Sequence, residues 1–169
     1  MAASRVENFV KVNENYYRGA QPTAVQYVHL RRLAIKTVID LRDDRKAEAQ
    51  KWARAAGLAY FNPALPSSEP ATDAQAAEFL RLVNDSSDWP VYVHCTAGRQ
   101  RTGTMTAACR ITHDGWTADQ PYDEMLSYGF NDGRPAGGLF GGDPRSRQNR
   151  FVCAFYEQYA SSQDPARAN

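Results

Sequence analysis

Pro90-Val91-Tyr92-Val93-His94-Cys95-Thr96-Ala97-Gly98-Arg99-Gln100-Arg101-Thr102-Gly103-Thr104 is the stretch on which the reading of the chain turns. Val91 to Val93 is a short apolar run of strand type that stops at Cys95, and Arg101-Thr102 opens a stretch of helical character. Strand, tight loop, helix: that order aims the loop N–H groups and the positive end of the helix dipole at one small volume. Cys95 at the strand end and Arg101 at the helix start are expected to face that volume. The expected occupant is a tetrahedral dianion beside a thiolate.

The residue types suit phosphoryl transfer. The thiolate, not the thiol, is the nucleophile, and a helix N-terminus beside an arginine favours it. The planar guanidinium of Arg101 can grip two phosphate oxygens at once. Gly98 permits a turn that bulkier residues resist, and Thr102 offers the sulfur a hydroxyl. Two steps follow. Cys95 attacks phosphorus in line while a carboxylic acid protonates the leaving oxygen; water then hydrolyses the thiophosphate, with the same carboxylate as base. Loop and arginine supply the neutralising charge, so no metal or cofactor is expected. The three histidines, His29, His94 and His113, have no metal-site spacing.

His94-Cys95-Thr96-Ala97-Gly98-Arg99-Gln100-Arg101-Thr102 resembles the signature of the cysteine-dependent protein tyrosine phosphatase superfamily: His-Cys, five residues, then Arg-Ser/Thr. Tyr16 to Thr23 and Ile35 to Arg42 are similar to the N-terminal half of compact dual-specificity phosphatases of the bacterial and the plant-and-fungal atypical groups. The resemblance covers roughly residues 9–130. It implies that Cys95 is the nucleophile and Arg101 the phosphate binder. Thr96, Ala97, Gly98, Arg99, Gln100 and Arg101 would form the phosphate-binding loop, with His94 supporting it and tuning the thiolate. Asp40 and Arg42 are expected to shape the scaffold around it.

The chain departs from that family at the general acid, usually an aspartate in the loop after the strand corresponding to 58–61. Here the loop runs Asn62-Pro63-Ala64-Leu65-Pro66-Ser67-Ser68-Glu69-Pro70-Ala71-Thr72-Asp73, with no aspartate at the first place to look. Glu69 and Asp73 are the nearest carboxylates; Asp43 and Asp44 lie further off. Asp73 also reads as a first-turn helix residue and Glu69 as a solvated turn residue, so the acid stays unassigned.

The expected activity is phosphomonoester hydrolysis of the tyrosine or dual-specificity type, on a phosphorylated protein. A small phosphorylated metabolite such as an inositol polyphosphate is the alternative substrate, because Arg99 would add charge near the mouth. A non-catalytic phosphate-binding module is the alternative in another class. Sulfur transfer or arsenate reduction also uses a strand-end cysteine, but the five-residue gap to Arg101 sets it apart.

Composition bounds the rest. The 169 residues fit one domain, 1–169, large enough for a real core. A formal net charge of +1 gives no global reason to bind nucleic acid or an anionic membrane, and no apolar run reaches membrane-spanning length. Cys95, Cys109 and Cys153 cannot all pair within one chain, and the start has no secretory pattern. A reducing, cytoplasmic setting is expected, or the periplasm or exterior if a leader has been removed.

Alternation at Phe9 to Val12 and at Tyr16 to Gly19 predicts two short strands. Pro22-Thr23 opens a helix whose periodic residues are Val25, Val28, His29 and Leu33. Thr37 to Leu41 reads as a central strand, Asp43 to Ala56 as a helix stopped by Gly57, and Leu58 to Phe61 as another strand. Thr72 with Gln75 forms a capping box for a helix carrying Phe79, Leu80, Leu82 and Val83. Thr102 to Thr112 is a helix, and Met125, Leu126 and Tyr128 mark the buried side of a short one ending at Gly129. The five glycines within 133–142 read as a surface loop, and Asn149 to Tyr159 closes the chain as an aromatic helix. Strands alternating with helices predict an α/β fold: a mainly parallel central sheet flanked by helices on both faces.

Overall fold

The computed structural model describes residues 5–44, 46–130 and 147–163. Its strands are β1 (Val10–Asn13), β2 (Tyr16–Gly19), β3 (Thr37–Asp40), β4 (Ala59–Phe61) and β5 (Val91–His94). The helices are α1 (Ala24–Arg32), α2 (Lys46–Ala55), α3 (Asp73–Asn84), α4 (Gln100–Asp114), α5 (Asp119–Ser127) and α6 (Arg147–Gln163). The sheet order is β1-β2-β5-β3-β4, parallel except for the antiparallel hairpin β1–β2. The expected glycine loop at 133–142 lies outside the described residues.

The strands alternate between two cores. Tyr16, Ile39, Leu41, Val91 and Val93 face α3, α4, α5 and α6, where Phe79, Met105, Met125 and Val152 are buried against them. Val38 and Tyr92 face α1 and α2, where they meet Tyr27, Leu30, Ala49 and Ala53. Helices cover both faces, as the fold class requires. Among the described residues no helix is long and apolar enough to cross a membrane.

Register positions the site. His94 lies between Gly19 on one side and Asp40 on the other, so three parallel strands end level with β5 in the middle. The ladder continues one step further through Leu41 N–H to the His94 carbonyl (2.8 Å) and Gln21 N–H to the Thr96 carbonyl (3.0 Å). Cys95 therefore leaves the sheet at its braced centre, at the carboxyl ends where α/β sheets bind ligands.

The expected capping box of Thr72 and Gln75 is present at α3, and the structure adds a second one, Thr23 with Gln26, at α1. The inward face of α1 differs from the expected one: Tyr27, Leu30 and Gln26 are buried, whereas Val25, Val28 and Leu33 are 61%, 43% and 52% exposed. Tyr27 takes the core because its ring packs 6.5 Å from Trp52 and its hydroxyl reaches His94. Leu126, expected on the buried side of α5, is likewise exposed, while Met125 is fully buried. Helix α2 spans Lys46–Ala55, a later start than the expected Asp43.

Candidate active site

Three successive loop carbonyls are held from outside. The Thr96 carbonyl accepts from Gln21 N–H at 3.0 Å, Ala97 from Asn8 Nδ2 at 2.9 Å, and Gly98 from Arg18 Nη2 at 2.9 Å. A trans peptide points its N–H opposite to its C=O. The N–H groups of Ala97, Gly98 and Arg99, which share those peptides, are thus turned to the other side, toward the concave face of the loop. Together with the N-terminal end of α4, they form a nest for an anion.

Gly98 is required by this packing. Its φ is +69°, and a Cβ would stand 2.4 Å from the Gly19 carbonyl carbon and 2.6 Å from Ala20 N. The loop thus lies directly on the backbone at the end of β2, an approach only glycine permits.

Arg101, in the first turn of α4, is largely enclosed, with 14% of its side chain exposed. Its Nη1 lies 2.9 Å from Asp43 Oδ1 and 3.2 Å from the Leu65 carbonyl, and Nη2 lies 3.2 Å from Thr96 Oγ1. These contacts hold the guanidinium over the loop. Asp43 is held below the usual carboxylate range, chiefly by its own backbone N–H and then by Ser67 N–H and Arg101, with burial opposing. It remains ionised near neutral pH.

The expected acids separate. Glu69 lines a narrow cleft with Leu65, Pro66, Ala71, Thr104 and Arg101, so it is placed near the Arg101 guanidinium. Asp73 is the first residue of α3 and accepts from Gln158 Nε2 of α6 at 3.3 Å. It is not among the residues that line the Arg101 cleft.

Arg99 and Gln100 differ in their commitments. Arg99 donates to Glu7 Oε1 at 2.8 Å and lies against Gly129, so the charge expected at the mouth is matched by a carboxylate. Gln100 begins α4, and its carbonyl accepts from Thr104 Oγ1 at 3.0 Å. Thr102 Oγ1 is buried with no hydrogen-bond partner, which leaves that hydroxyl uncommitted. Cys95 is buried and unpaired. Of the other thiols, burial pushes Cys109 up to about 12, and it also raises Cys153, so both are poor nucleophiles at neutral pH.

His94 anchors the loop from the opposite face of the sheet. Its Nδ1 lies 3.1 Å from the Cys95 carbonyl and its Nε2 3.3 Å from the Tyr27 hydroxyl. The pattern fits a neutral ring that donates from Nδ1 and accepts at Nε2. Burial depresses the basicity of His94, while Asp40, 3.7 Å away, opposes that effect. Asp40 is gripped by Arg42 through Nε and Nη2 (3.0 and 2.6 Å) and by the Tyr60 hydroxyl at 2.8 Å. Burial alone would raise the Asp40 carboxyl, but His94, Arg42 and Tyr60 outweigh it and the net shift is downward. Asn62 Nδ2 ties the backbone of Asp40 and Arg42 together at 2.6 and 2.8 Å. Asp40 and Arg42 thus form a scaffold beneath the loop.

Two residues that hold the loop were missed as site residues at the sequence level, Asn8 and Arg18. Arg18 had a signal, since an arginine inside a predicted strand beside two tyrosines is out of place unless it serves a site. Asn8 carries no such signal. It acts through a positive φ of 54° just before β1.

A cysteine released from the middle strand of a parallel sheet into an arginine-closed anion loop defines the class of cysteine-dependent phosphatase folds. The core catalytic domain of the PP-IP phosphatase SIW14 from S. cerevisiae shares the fold, with a TM-score of 0.74 at 18% identity over 95% of both chains. The P. aeruginosa TpbA structure superposes with a TM-score of 0.68 at 25% identity over 91% of both chains. The profile of the family described as "DSP-PTPase phosphatase fused to NAD+ Kinase" matches residues 3–136. The chain belongs to this dual-specificity-type phosphatase family. In sequence it is 32% identical to the dual specificity protein phosphatase TpbA of Pseudomonas aeruginosa over 128 residues, 74% of this chain and 56% of that protein. It is 27% identical to the inositol diphosphatase DSP4 of Arabidopsis thaliana over 126 residues, 72% of this chain and 63% of that protein. The chain thus spans between half and two thirds of the length of these relatives.

Proposed function

We propose that this chain is a phosphomonoester hydrolase of the tyrosine and dual-specificity type, acting on phosphorylated protein through a cysteinyl-phosphate intermediate. The observation that carries the proposal is the row of outward-held carbonyls at Thr96, Ala97 and Gly98, which turns three N–H groups inward between Cys95 and Arg101. Such a loop neutralises a dianion before reaction and serves better still as charge builds on the equatorial oxygens.

Cys95 Sγ attacks phosphorus; the S–P bond forms as the bond to the leaving oxygen breaks, and Glu69 gives that oxygen its proton. Water then attacks the thiophosphate, Glu69 takes a proton from it, and the S–P bond breaks to release phosphate and the thiolate. Glu69 is assigned as the acid because it shares the Arg101 cleft, whereas Asp73 is engaged with α6 and Asp43 is held ionised on the guanidinium. Thr102, with its uncommitted hydroxyl, stabilises the departing sulfur.

The second reading, an inositol polyphosphate substrate, has support from the relative named as an inositol diphosphatase. Against it, Arg99 and Arg101 already carry Glu7 and Asp43, so the described mouth holds little spare positive charge. The test compares wild type with Cys95→Ser on phosphotyrosine peptide, phosphothreonine peptide and inositol polyphosphates. Turnover of peptides, lost in the variant while phosphate binding persists, is the expected result. Activity retained by Cys95→Ser overturns the mechanism; phosphopeptide binding without turnover by wild type makes the protein a binding module.

A further inference from the structure

We propose that Arg18 is a buried positioning cation of the phosphate loop, whose charge is matched by the oxyanion the loop takes in rather than by a protein carboxylate. The proposal rests on reading the loop as an oxyanion site.

Two arginines are fully buried among the described residues, and they contrast. Arg42 is neutralised by Asp40 through two guanidinium nitrogens. Arg18, 0% exposed on β2, has no carboxylate partner among the described residues. Its Nη2 donates to the Gly98 carbonyl, while Nε and Nη1 are buried with no acceptor among the described residues. The face of Tyr128 covers it, with Cζ 4.5 Å from the ring centroid.

A buried charge without a counter-charge is costly, and the single hydrogen bond to the Gly98 carbonyl does not by itself repay that cost. The cost is offset only when an anion comes close. Among the described residues, the anion nest that Arg18 contacts is the loop whose Gly98 carbonyl it holds.

The coupling runs through a single peptide. The Gly98 carbonyl that accepts from Arg18 belongs to the same peptide unit as the Arg99 N–H, which faces the loop interior. A cation on the carbonyl side polarises the unit and strengthens the donor on the other side. Arg18 thus orients this peptide and adds field to the loop without touching the substrate. Tyr128 fixes the plane of the guanidinium and keeps water from screening it.

The test compares wild type, Arg18→Met and Arg18→Lys in three measurements: calorimetric binding of inorganic phosphate and orthovanadate, kcat and KM on p-nitrophenyl phosphate, and melting temperature in phosphate-free buffer. Arg18→Met is expected to weaken phosphate binding about tenfold, in line with loss of a charged hydrogen bond. Its phosphate-free melting temperature should be unchanged or higher, because an unpaired buried charge has been removed. Arg18→Lys should recover part of the affinity, keeping the charge but not the forked donors. A purely structural role predicts the reverse for stability. Loss of stability in Arg18→Met without anion, failure to fold included, therefore assigns the residue to the scaffold and overturns the proposal. So does wild-type phosphate affinity in that variant. If the wild type itself binds neither anion, the reading of the loop falls and this proposal with it; if only the variants match wild type, this proposal falls alone.

Discussion

Asp43 and Arg101 form an ion pair, Oδ1 to Nη1 at 2.9 Å, across the mouth of the phosphate loop. One residue comes from the turn after β3 and the other from the first turn of α4, 58 positions apart. The pair holds the Arg101 guanidinium in position while occupying part of it. Under the proposed function, an incoming phosphate has to share the guanidinium with Asp43 or displace it.

Removing that competitor should therefore tighten anion binding. The carboxylate is 41% exposed, so the effect is modest: Asp43→Asn is expected to lower the inhibition constant of vanadate by about twofold to fivefold, as befits an exposed ion pair. Steady-state inhibition on an aryl phosphate measures it. Weaker inhibition in the variant would mean that Asp43 matters more for placing Arg101 than for competing with phosphate.

The assignment of Glu69 can be separated from a general effect on the cleft by the choice of leaving group. A phenolate with electron-withdrawing substituents departs without help, whereas a serine or threonine alkoxide needs a proton. Glu69→Gln should lose about a hundredfold in kcat on phosphothreonine peptide and far less on p-nitrophenyl phosphate. Equal losses on both substrates would remove Glu69 from the acid role, and the same pair of assays on Asp73→Asn serves as the comparison.

Gly98 has no room for a methyl group. With φ at +69° and a Cβ 2.4 Å from backbone atoms of Gly19, Gly98→Ala must push the loop off the end of β2. More than about 1 kcal/mol of stability should be lost from the backbone conformation alone. Since small misplacements of reacting groups cost orders of magnitude, kcat/KM should fall about a hundredfold or more. Denaturant titration and kinetics read the two effects separately. A variant with normal activity would show that the loop does not need this contact.

Acid should destabilise the fold through His94. Burial holds His94 below its ordinary value, so in the folded state it stays neutral to lower pH than in the unfolded chain, which takes up the proton near about 6.5. The unfolded state then binds more protons, and stability falls as pH drops through 6.5 toward the folded value. Asp40, also shifted down, adds a further loss below its unfolded value of about 4. The urea midpoint should be level between about pH 7 and 8 and decline below 6.5, with His94→Gln flattening the upper part of that decline. A midpoint that rises on acidification would contradict a neutral buried ring.

Much of the fold was readable because its signals are local. The short apolar run Val91 to Val93 before Cys95, a helix opening near Arg101 and the Thr72–Gln75 capping box depend on neighbours within a few residues, and all three are present. The face of α1 was not readable. Val25, Val28 and Leu33 make as regular a stripe as Tyr27 and Leu30, and what separates them is the Tyr27 hydroxyl reaching His94, 67 positions away. Likewise Arg99 looks like free positive charge until Glu7, 92 positions earlier, is found beside it.

The sequence by itself determined the signature of the loop: a cysteine, a turn-forming glycine and an arginine at the spacing of a strand–loop–helix, on a chain patterned for a parallel sheet. Tertiary structure decided how that loop is supported. Asn8, Arg18 and Gln21 reach the loop carbonyls from segments 75 to 89 positions away, and the parallel register that sets β2 beside β5 brings them there. It also decided which carboxylate meets Arg101, since Asp43, Glu69 and Asp73 are all carboxylates in the sequence and differ in where the fold puts them. Spacing along a chain encodes local geometry. Which distant side chain completes a charge depends on packing, and that is known only once the sheet has formed.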